Sequence, residues 1–176
     1  MGSDDDPRCE VLVLGIGNLL WADEGFGVHF IRHLRAHYSF PDTIELLEAG
    51  TLGLMIAHKL EEAGRIYIVD ALAAPGAPGE CHRFTKEDFL LNRVPVKLSP
   101  HQVGVQEMLL VSELRGRCPN EVHLVGVIPA SLSPGTELSP VLQARVSELA
   151  RQLVDELRAG GAQVAPSQKT DALEAQ

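Results

Sequence analysis

Three residues whose side chains could bind one metal ion lie far apart in the sequence: Glu24, Asp70 and His101. Glu24 lies in a glycine-containing loop after the apolar run at residues 11–14, and Asp70 directly follows the run at residues 65–69. Each run predicts a strand that is buried on both faces. Because ligands of parallel sheets bind outside the carboxyl ends of the strands, we expect both carboxylates at one edge of a sheet.

The chemistry of these three groups favours a shared cation. Two carboxylates ~4 Å apart repel each other by about 4 kcal/mol at an effective dielectric constant of ~20, so either one is protonated or a cation lies between them. His101 is predicted at the second position of a helix, where the helix dipole disfavours imidazolium and leaves a lone pair for a metal. Two carboxylates and a neutral imidazole suit a first-row divalent ion such as nickel or zinc. The alternative is local: Asp70 ends a strand at a turn, and His101 merely belongs to a helix start.

The elements that must position these groups alternate along the chain. Apolar patterning predicts strands at residues 9–16, 43–47, 65–69, 80–84, 121–128 and 163–165, and helices at residues 25–38, 54–61, 99–114 and 139–158. This alternation predicts an α/β fold: a single three-layer domain, with a largely parallel twisted sheet of about five strands and helices on both faces. We expect the domain to span residues 9–165, with disordered segments at residues 1–8 and 166–176.

The glycines after the first strand also resemble a dinucleotide-binding fingerprint. Gly15 and Gly17 have the right spacing, but the third glycine is missing, and Asp23 and Glu24 would repel a pyrophosphate. We therefore favour a tight strand-to-loop turn and expect no nucleotide cofactor. Because Asp23 and Glu24 lie between Trp21 and Phe26, we expect both acids to face a cleft.

Histidines and cysteines elsewhere carry weaker signals. His29, His33 and His37 recur every fourth residue, which would place them on one helix face, as ligands or, as we favour, as a solvated stripe. The cysteines are far apart and form no Cys-x-x-Cys pair, so they are expected to be free thiols in a reducing compartment: Cys9, Cys81 and Cys118.

The overall charge excludes some partners. The chain of 176 residues has a net charge of −9, with 24 acidic residues against 15 Lys and Arg. This balance argues against binding to nucleic acid or to an anionic membrane surface, since both need clustered cations. No apolar run approaches the ~20 residues of a membrane span, and the N-terminus lacks the cationic and apolar regions of a signal peptide. We expect a cytoplasmic protein.

Six short motifs occur in a fixed order, and in combination they are specific: Leu14-Gly-Ile-Gly-Asn-Leu-Leu20, Asp23-Glu-Gly-Phe-Gly-Val28, Gly50-Thr-x-Gly53, Val69-Asp-Ala71, Ser99-Pro-His-Gln-x-Gly104 and Gly126-Val-Ile-Pro-x-Ser-Leu132. Over residues 11–164 the chain resembles the hydrogenase maturation proteases. These are nickel-dependent endopeptidases that trim the C-terminus of a [NiFe]-hydrogenase large subunit.

The resemblance implies roles for particular residues. In that family the acids after the first and third strands and the histidine of the Ser-Pro-His-Gln segment bind the metal; here they are Glu24, Asp70 and His101, which would also be the catalytic residues. Glu48 stands where the family usually has aspartate, so a role for this position in substrate binding or catalysis does not carry over directly, although a carboxylate is kept.

The resemblance also implies a substrate and a reaction. The protein would sense nickel in a site of four cysteine thiolates in a [NiFe]-hydrogenase large-subunit precursor, and cut the peptide bond just beyond the last cysteine motif, acting as a monomer. Either the metal polarises the scissile carbonyl or activates water, or a carboxylate, Asp70 or Glu24, is the general base and nickel is only a recognition tag.

Two other classes of function remain as alternatives at this point. A non-catalytic nickel-sensing maturation chaperone would use the same three ligands without cleavage. A nucleotide-dependent oxidoreductase would need an open phosphate-binding loop, which the two acids at residues 23–24 would crowd.

Overall fold

A computed structural model of the chain describes residues 9–50, 56–90 and 100–167. In chain order the strands are β1 (Cys9–Ile16), β2 (Tyr38–Ser39), β3 (Ile44–Gly50), β4 (Ala63–Ala71), β5 (Cys81–Thr85), β6 (Glu121–Val127) and β7 (Ala165–Pro166). The helices are α1 (Phe26–His37), α2 (Ala57–Glu61), α3 (Lys86–Leu90), α4 (Pro100–Leu114) and α5 (Pro140–Ala159). A 3₁₀ turn covers Ala22–Gly25 and connects β1 to α1.

The main sheet has five strands in the order β3-β1-β4-β6-β5. The first four of these strands run parallel, and β5 pairs antiparallel with β6 at the edge. The predicted α/β domain with a largely parallel sheet is confirmed. A second, two-stranded antiparallel sheet joins β2 to β7. The sequence predicts a short strand at residues 163–165 but not this pairing, because it places Tyr38, the first residue of β2, at the end of a helix.

Helices cover both faces of the main sheet, and alternating side chains of each strand decide which face they contact. Val13 and Val69 belong to the core cluster that contains the buried residues of α1 and α5. Leu12 and Ile68 belong to the opposite cluster, together with residues of α2 and α4. Because both faces of β1 and β4 are covered, the central residues of these strands are apolar rather than alternating apolar and polar.

The chain reverses its direction of travel across the sheet between β1 and β4. From β1 it crosses by way of α1 to β3 on one side, and it then returns by way of α2 to β4 on the other side of β1. In such sheets the crevice outside the carboxyl ends of the two strands at the reversal is where ligands bind. This places the candidate site beyond Ile16 and Ala71.

Glycines allow α1 to begin directly against these strand ends. A Cβ atom on Gly27 would lie 2.2 Å from the carbonyl oxygen of Val69 and 2.3 Å from that of Ile16. Both neighbours are backbone atoms and cannot move aside independently of the strands. Gly27 therefore brings the start of α1 into backbone contact with the residue that precedes Asp70.

The observed boundaries correct several predicted ones. β4 extends two residues beyond the predicted end, so Asp70 lies within the strand rather than after it. Pro166 belongs to β7, and the backbone N–H of Ser167 donates to the carbonyl oxygen of His37 at 2.8 Å, so ordered structure continues past the boundary predicted at residue 165. The predictions for residues 1–8, 51–55, 91–99 and 168–176, including the helix start predicted at residue 99, lie outside the described residues.

Candidate active site

Asp70 is a buried carboxylate at the carboxyl edge of the sheet. Its residue is only 2% exposed, and it lies one residue before the end of β4, opposite Gly126 of β6. Its Oδ1 accepts a hydrogen bond of 2.8 Å from the backbone N–H of Ala71. A carboxylate this deep is costly unless charged or hydrogen-bonding groups compensate it, so its position at the strand reversal favours a functional role.

Glu24 is carried to the same edge by the 3₁₀ turn after β1. The turn contacts β4, and Glu24 itself is half-buried. The backbone fixes its position, since its N–H donates to the carbonyl oxygen of Trp21 at 3.0 Å and its own carbonyl accepts from Asn18 at 3.2 Å. Gly17 makes this possible, because its φ is +136° and a Cβ there would lie 1.9 Å from the carbonyl oxygen of Glu24.

Asp23 has a different role from its neighbour. It is fully buried, and its carboxylate accepts three backbone hydrogen bonds, at 2.9 Å from Ala130, 2.9 Å from Ser131 and 2.6 Å from Ser139. The prediction that both acids face a cleft is therefore wrong for Asp23, which instead ties the 3₁₀ turn to the segment at residues 129–139. Its partners lie more than a hundred residues later in the sequence, so no local signal identifies it.

His101 lies at the second residue of α4, as predicted from the helix-start pattern. The C-terminal end of α4 lies at the amino edge of the sheet, where Arg115, just past the helix, contacts Glu61 at the end of α2. A helix of 15 residues is about 22 Å long, comparable to the strands, so its first residues reach the carboxyl edge. The side chain of His101 lies outside what the structure describes.

The donor chemistry fits a divalent cation. Glu24 lies in the turn after β1, Asp70 lies near the end of the neighbouring strand β4, and His101 is the second residue of α4. Among the side chains that are described, no group of three or more His, Cys, Asp or Glu residues is close enough to hold a metal ion. The described part of the predicted ligand set consists of Glu24 and Asp70.

Glu48 has its carboxylate already engaged by α1. Arg32 donates to its Oε2 at 3.1 Å, and Arg35 donates to its Oε1 at 2.6 Å. The same residue lines a groove of about 290 Å³ with Gly17, Asn18, Leu19, Val28, Ala49 and Gly50. Two guanidinium partners hold this carboxylate in place, which suits a side chain that shapes the groove.

The histidines of α1 are arranged for packing within the helix and its surroundings. The rings of His33 and His37 stack with centroids 4.0 Å apart, and His37 Nδ1 donates to the carbonyl oxygen of His33 at 2.9 Å. Burial and the neighbouring His37 lower the pKa of His33. His29 Nε2 donates to the carbonyl oxygen of Thr136 at 3.2 Å. Stacked rings do not converge on a common ion, so a ligand role is not favoured.

The three cysteines are free thiols, as predicted: Cys9, Cys81 and Cys118. Burial raises the pKa of each thiol above its usual value. Because the nucleophile in cysteine chemistry is the thiolate, none of them is an activated nucleophile. Within the described residues, none of the helices is long and apolar enough to cross a bilayer.

Known proteins are similar to this chain in both sequence and fold. A model of the hydrogenase maturation protease family matches residues 28–156. The hydrogenase expression/formation protein HupD of Bradyrhizobium diazoefficiens is 37% identical over 158 residues, which cover 88% of this chain and 81% of that protein. The hydrogenase 2 maturation protease of Escherichia coli is 34% identical over 161 residues, covering 89% of this chain and 95% of that protein.

Solved structures of hydrogenase maturation proteases have a similar fold. The hydrogenase maturating endopeptidase HybD from Escherichia coli superposes with a TM-score of 0.82 at 34% identity, covering 89% of this chain and 97% of HybD. The [NiFe] hydrogenase maturation protease HybD from Thermococcus kodakarensis has a TM-score of 0.66 at 30% identity, covering 84% of this chain and 98% of that one.

Proposed function

The chain belongs to the hydrogenase maturation protease family and is a hydrolase of peptide bonds, and we propose that it is a nickel-dependent endopeptidase. Its substrate is a [NiFe]-hydrogenase large-subunit precursor, and it removes the C-terminal extension after nickel has been inserted. It acts as a monomer in the cytoplasm. The names of its relatives support a substrate of the hydrogenase class.

The observation that carries the proposal is the position of two carboxylates at the strand reversal. Asp70 is buried at the end of β4, and Glu24 is held by a turn that contacts this strand. With His101 at the start of α4, these residues would hold the nickel that the precursor presents. Because none of the three cysteines is an activated nucleophile, the described residues favour attack on the peptide bond by water rather than by a thiolate.

The protein residues and the metal make separate contributions to hydrolysis. Nickel, when bound, supplies a Lewis acid that polarises a carbonyl group or lowers the pKa of a bound water. Asp70 or Glu24 accepts the proton of the attacking water as general base, a role that contributes about 10²- to 10⁴-fold to a rate. The low exposure of Asp70 shields this proton transfer from bulk water.

Intact-mass spectrometry of the precursor tests the proposal. Nickel-loaded precursor incubated with the protein should lose the mass of its C-terminal extension, and nickel-free precursor should not. Asp70→Asn should abolish this loss, whereas Asp155→Asn, whose carboxylate is exposed on α5, should process normally. An unchanged mass of nickel-loaded precursor would exclude the protease and favour a nickel-sensing chaperone that does not cleave.

A further inference from the structure

Two loops beside Glu24 expose apolar side chains to solvent. Leu20 is 67% exposed and Trp21 is 45% exposed in the loop after β1, and Leu132 is 52% exposed in the segment at residues 129–136. Neither residues 16–22 nor residues 129–136 include a charged residue or a histidine, although 22% of the chain is charged. Large exposed apolar side chains grouped on an uncharged surface are typical of protein-binding sites.

The two loops are hydrogen-bonded to each other, so the backbone that carries these side chains is held in place. The N–H of Ala22 donates to the carbonyl oxygen of Gly135 at 2.7 Å, and the N–H of Gly135 donates to the carbonyl oxygen of Leu20 at 2.9 Å. The three hydrogen bonds accepted by Asp23 add to this connection. A surface that is ordered before binding loses little conformational entropy when a partner docks.

The surface is continuous with the candidate active site. Glu24 follows Trp21 by three residues, and its N–H donates to the carbonyl oxygen of Trp21. Asn18 and Leu19, just before the exposed pair, line the same groove as Glu48 and Gly50. The exposed pair therefore lies in the same loop as Glu24 and beside this groove.

We propose that Leu20, Trp21 and Leu132 form a docking surface for an apolar surface of the protein substrate close to the bond that is cleaved. This proposal rests on the proposed function, since it takes the occupant to be the precursor. An endopeptidase must bind its protein substrate before it cuts one bond, and contacts away from that bond, which are equal in the ground state and the transition state, contribute to the affinity for the substrate. An uncharged apolar surface selects its partner by shape and burial, which suits a substrate region that is itself apolar.

Steady-state processing of nickel-loaded precursor tests the docking surface through the separate effects on KM and kcat. We compare the wild type with Trp21→Ser and Leu132→Ser, which alter the two loops one at a time. Each should raise KM about tenfold or more with little change in kcat, because exposed anchors of an interface contribute to binding rather than to the reaction. Leu114→Ser is the matched control, since Leu114 is 80% exposed at the other end of α4 and should have no effect.

Folding and binding are measured independently of cleavage. Thermal unfolding midpoints confirm that each variant folds, and Leu20→Ser replaces Trp21→Ser if the latter is unstable. Calorimetric titration of precursor gives the dissociation constant even without turnover. If the wild type binds precursor without cutting it, the proposed function fails, and weaker binding by the loop variants alone still supports docking.

Two results would overturn the docking surface while leaving the protease intact. One is that the wild type processes the precursor and that both loop variants process it with the same KM as the wild type. The other is self-association of the wild type, seen by light scattering, that the loop variants abolish, because the surface would then be covered by a second copy of the chain.

Discussion

At the scale of single residues, the sequence identifies chemical groups but not their surroundings. Glu24 and Asp70 are predictable at one edge of the sheet because each follows a buried apolar run, and parallel strands present their carboxyl ends at one edge. The depth of Asp70 is not predictable, since it depends on how β6 and the helices cover that edge. Asp23 and Glu24 are adjacent acids in the sequence, yet only the first is fully buried.

Replacing His101 with alanine should abolish processing of nickel-loaded precursor and leave the fold intact. The imidazole is the predicted nitrogen ligand, and a residue at a helix start contributes little to a core. Intact mass of the precursor measures processing, and circular dichroism with thermal unfolding measures the fold. Processing at the wild-type rate would show that His101 has no part in the site.

Tyr67 should make stability depend on alkaline pH. Burial, together with the hydrogen bond of 2.8 Å that its hydroxyl donates to Glu156, raises the pKa of Tyr67 to about 12. The folded state therefore keeps this proton where the unfolded chain, with a pKa of about 10, releases it. The associated stability is complete below pH ~10 and is lost as the pH rises towards 12, by about 2–3 kcal/mol.

Urea unfolding between pH 8 and 12 measures this effect. Between about pH 10 and pH 12, the free energy of unfolding should fall more for the wild type than for Tyr67→Phe, because the variant has no phenol proton to release. Parallel curves for the two proteins would show that Tyr67 does not titrate differently in the folded and unfolded states.

At the scale of elements, long periodic segments are predictable and short ones are not. The 20-residue helix α5 has apolar residues at helical spacing and a Ser139-Pro140 start, and it was predicted to within one residue at either end. By contrast, β2 and β7 are two residues each, too short for any periodicity, and they exist because the segment after α5 pairs with the segment after α1. Ser139 also makes no side-chain cap; its backbone N–H instead bonds Asp23.

Asp23→Ala should destabilise the protein by about 3 kcal/mol, because three backbone N–H groups of the segment at residues 130–139 lose their buried acceptor. Denaturant unfolding measures the change. Asp42→Ala, at an exposed position, should stay within about 0.5 kcal/mol of the wild type. If both variants unfold at the same denaturant concentration, Asp23 does not connect the two loops.

At the scale of the whole molecule, the order of the strands places the site. Alternating strands and helices predict a parallel sheet, but several strand orders satisfy the same pattern. The observed order puts the reversal between β1 and β4, the two strands that lead to Glu24 and Asp70. The resemblance of six motifs predicted the same residues by a separate route, and the family match and superposition confirm the fold and the family.

Removing residues 168–176 should leave processing unchanged, because the pairing of β7 with β2 and the bond from Ser167 to His37 are both retained. Removing residues 163–176 should lower the thermal midpoint, because it deletes β7 and the buried Val164, whose carbonyl accepts from Arg158 at 3.0 Å. Comparison of the two truncations measures both effects. Loss of processing in the shorter deletion would assign the last nine residues a role in the reaction.

The most direct test of the central claim is the position of nickel in a crystal of the protein, determined by anomalous diffraction at the nickel edge. If Glu24, Asp70 and His101 form one site, a single peak lies between them, about 2.0–2.2 Å from an oxygen of each carboxylate and a nitrogen of the imidazole, as in zinc sites with these ligands. A peak elsewhere, for example at the histidines of α1, or three side chains too far apart to share an ion, would contradict it.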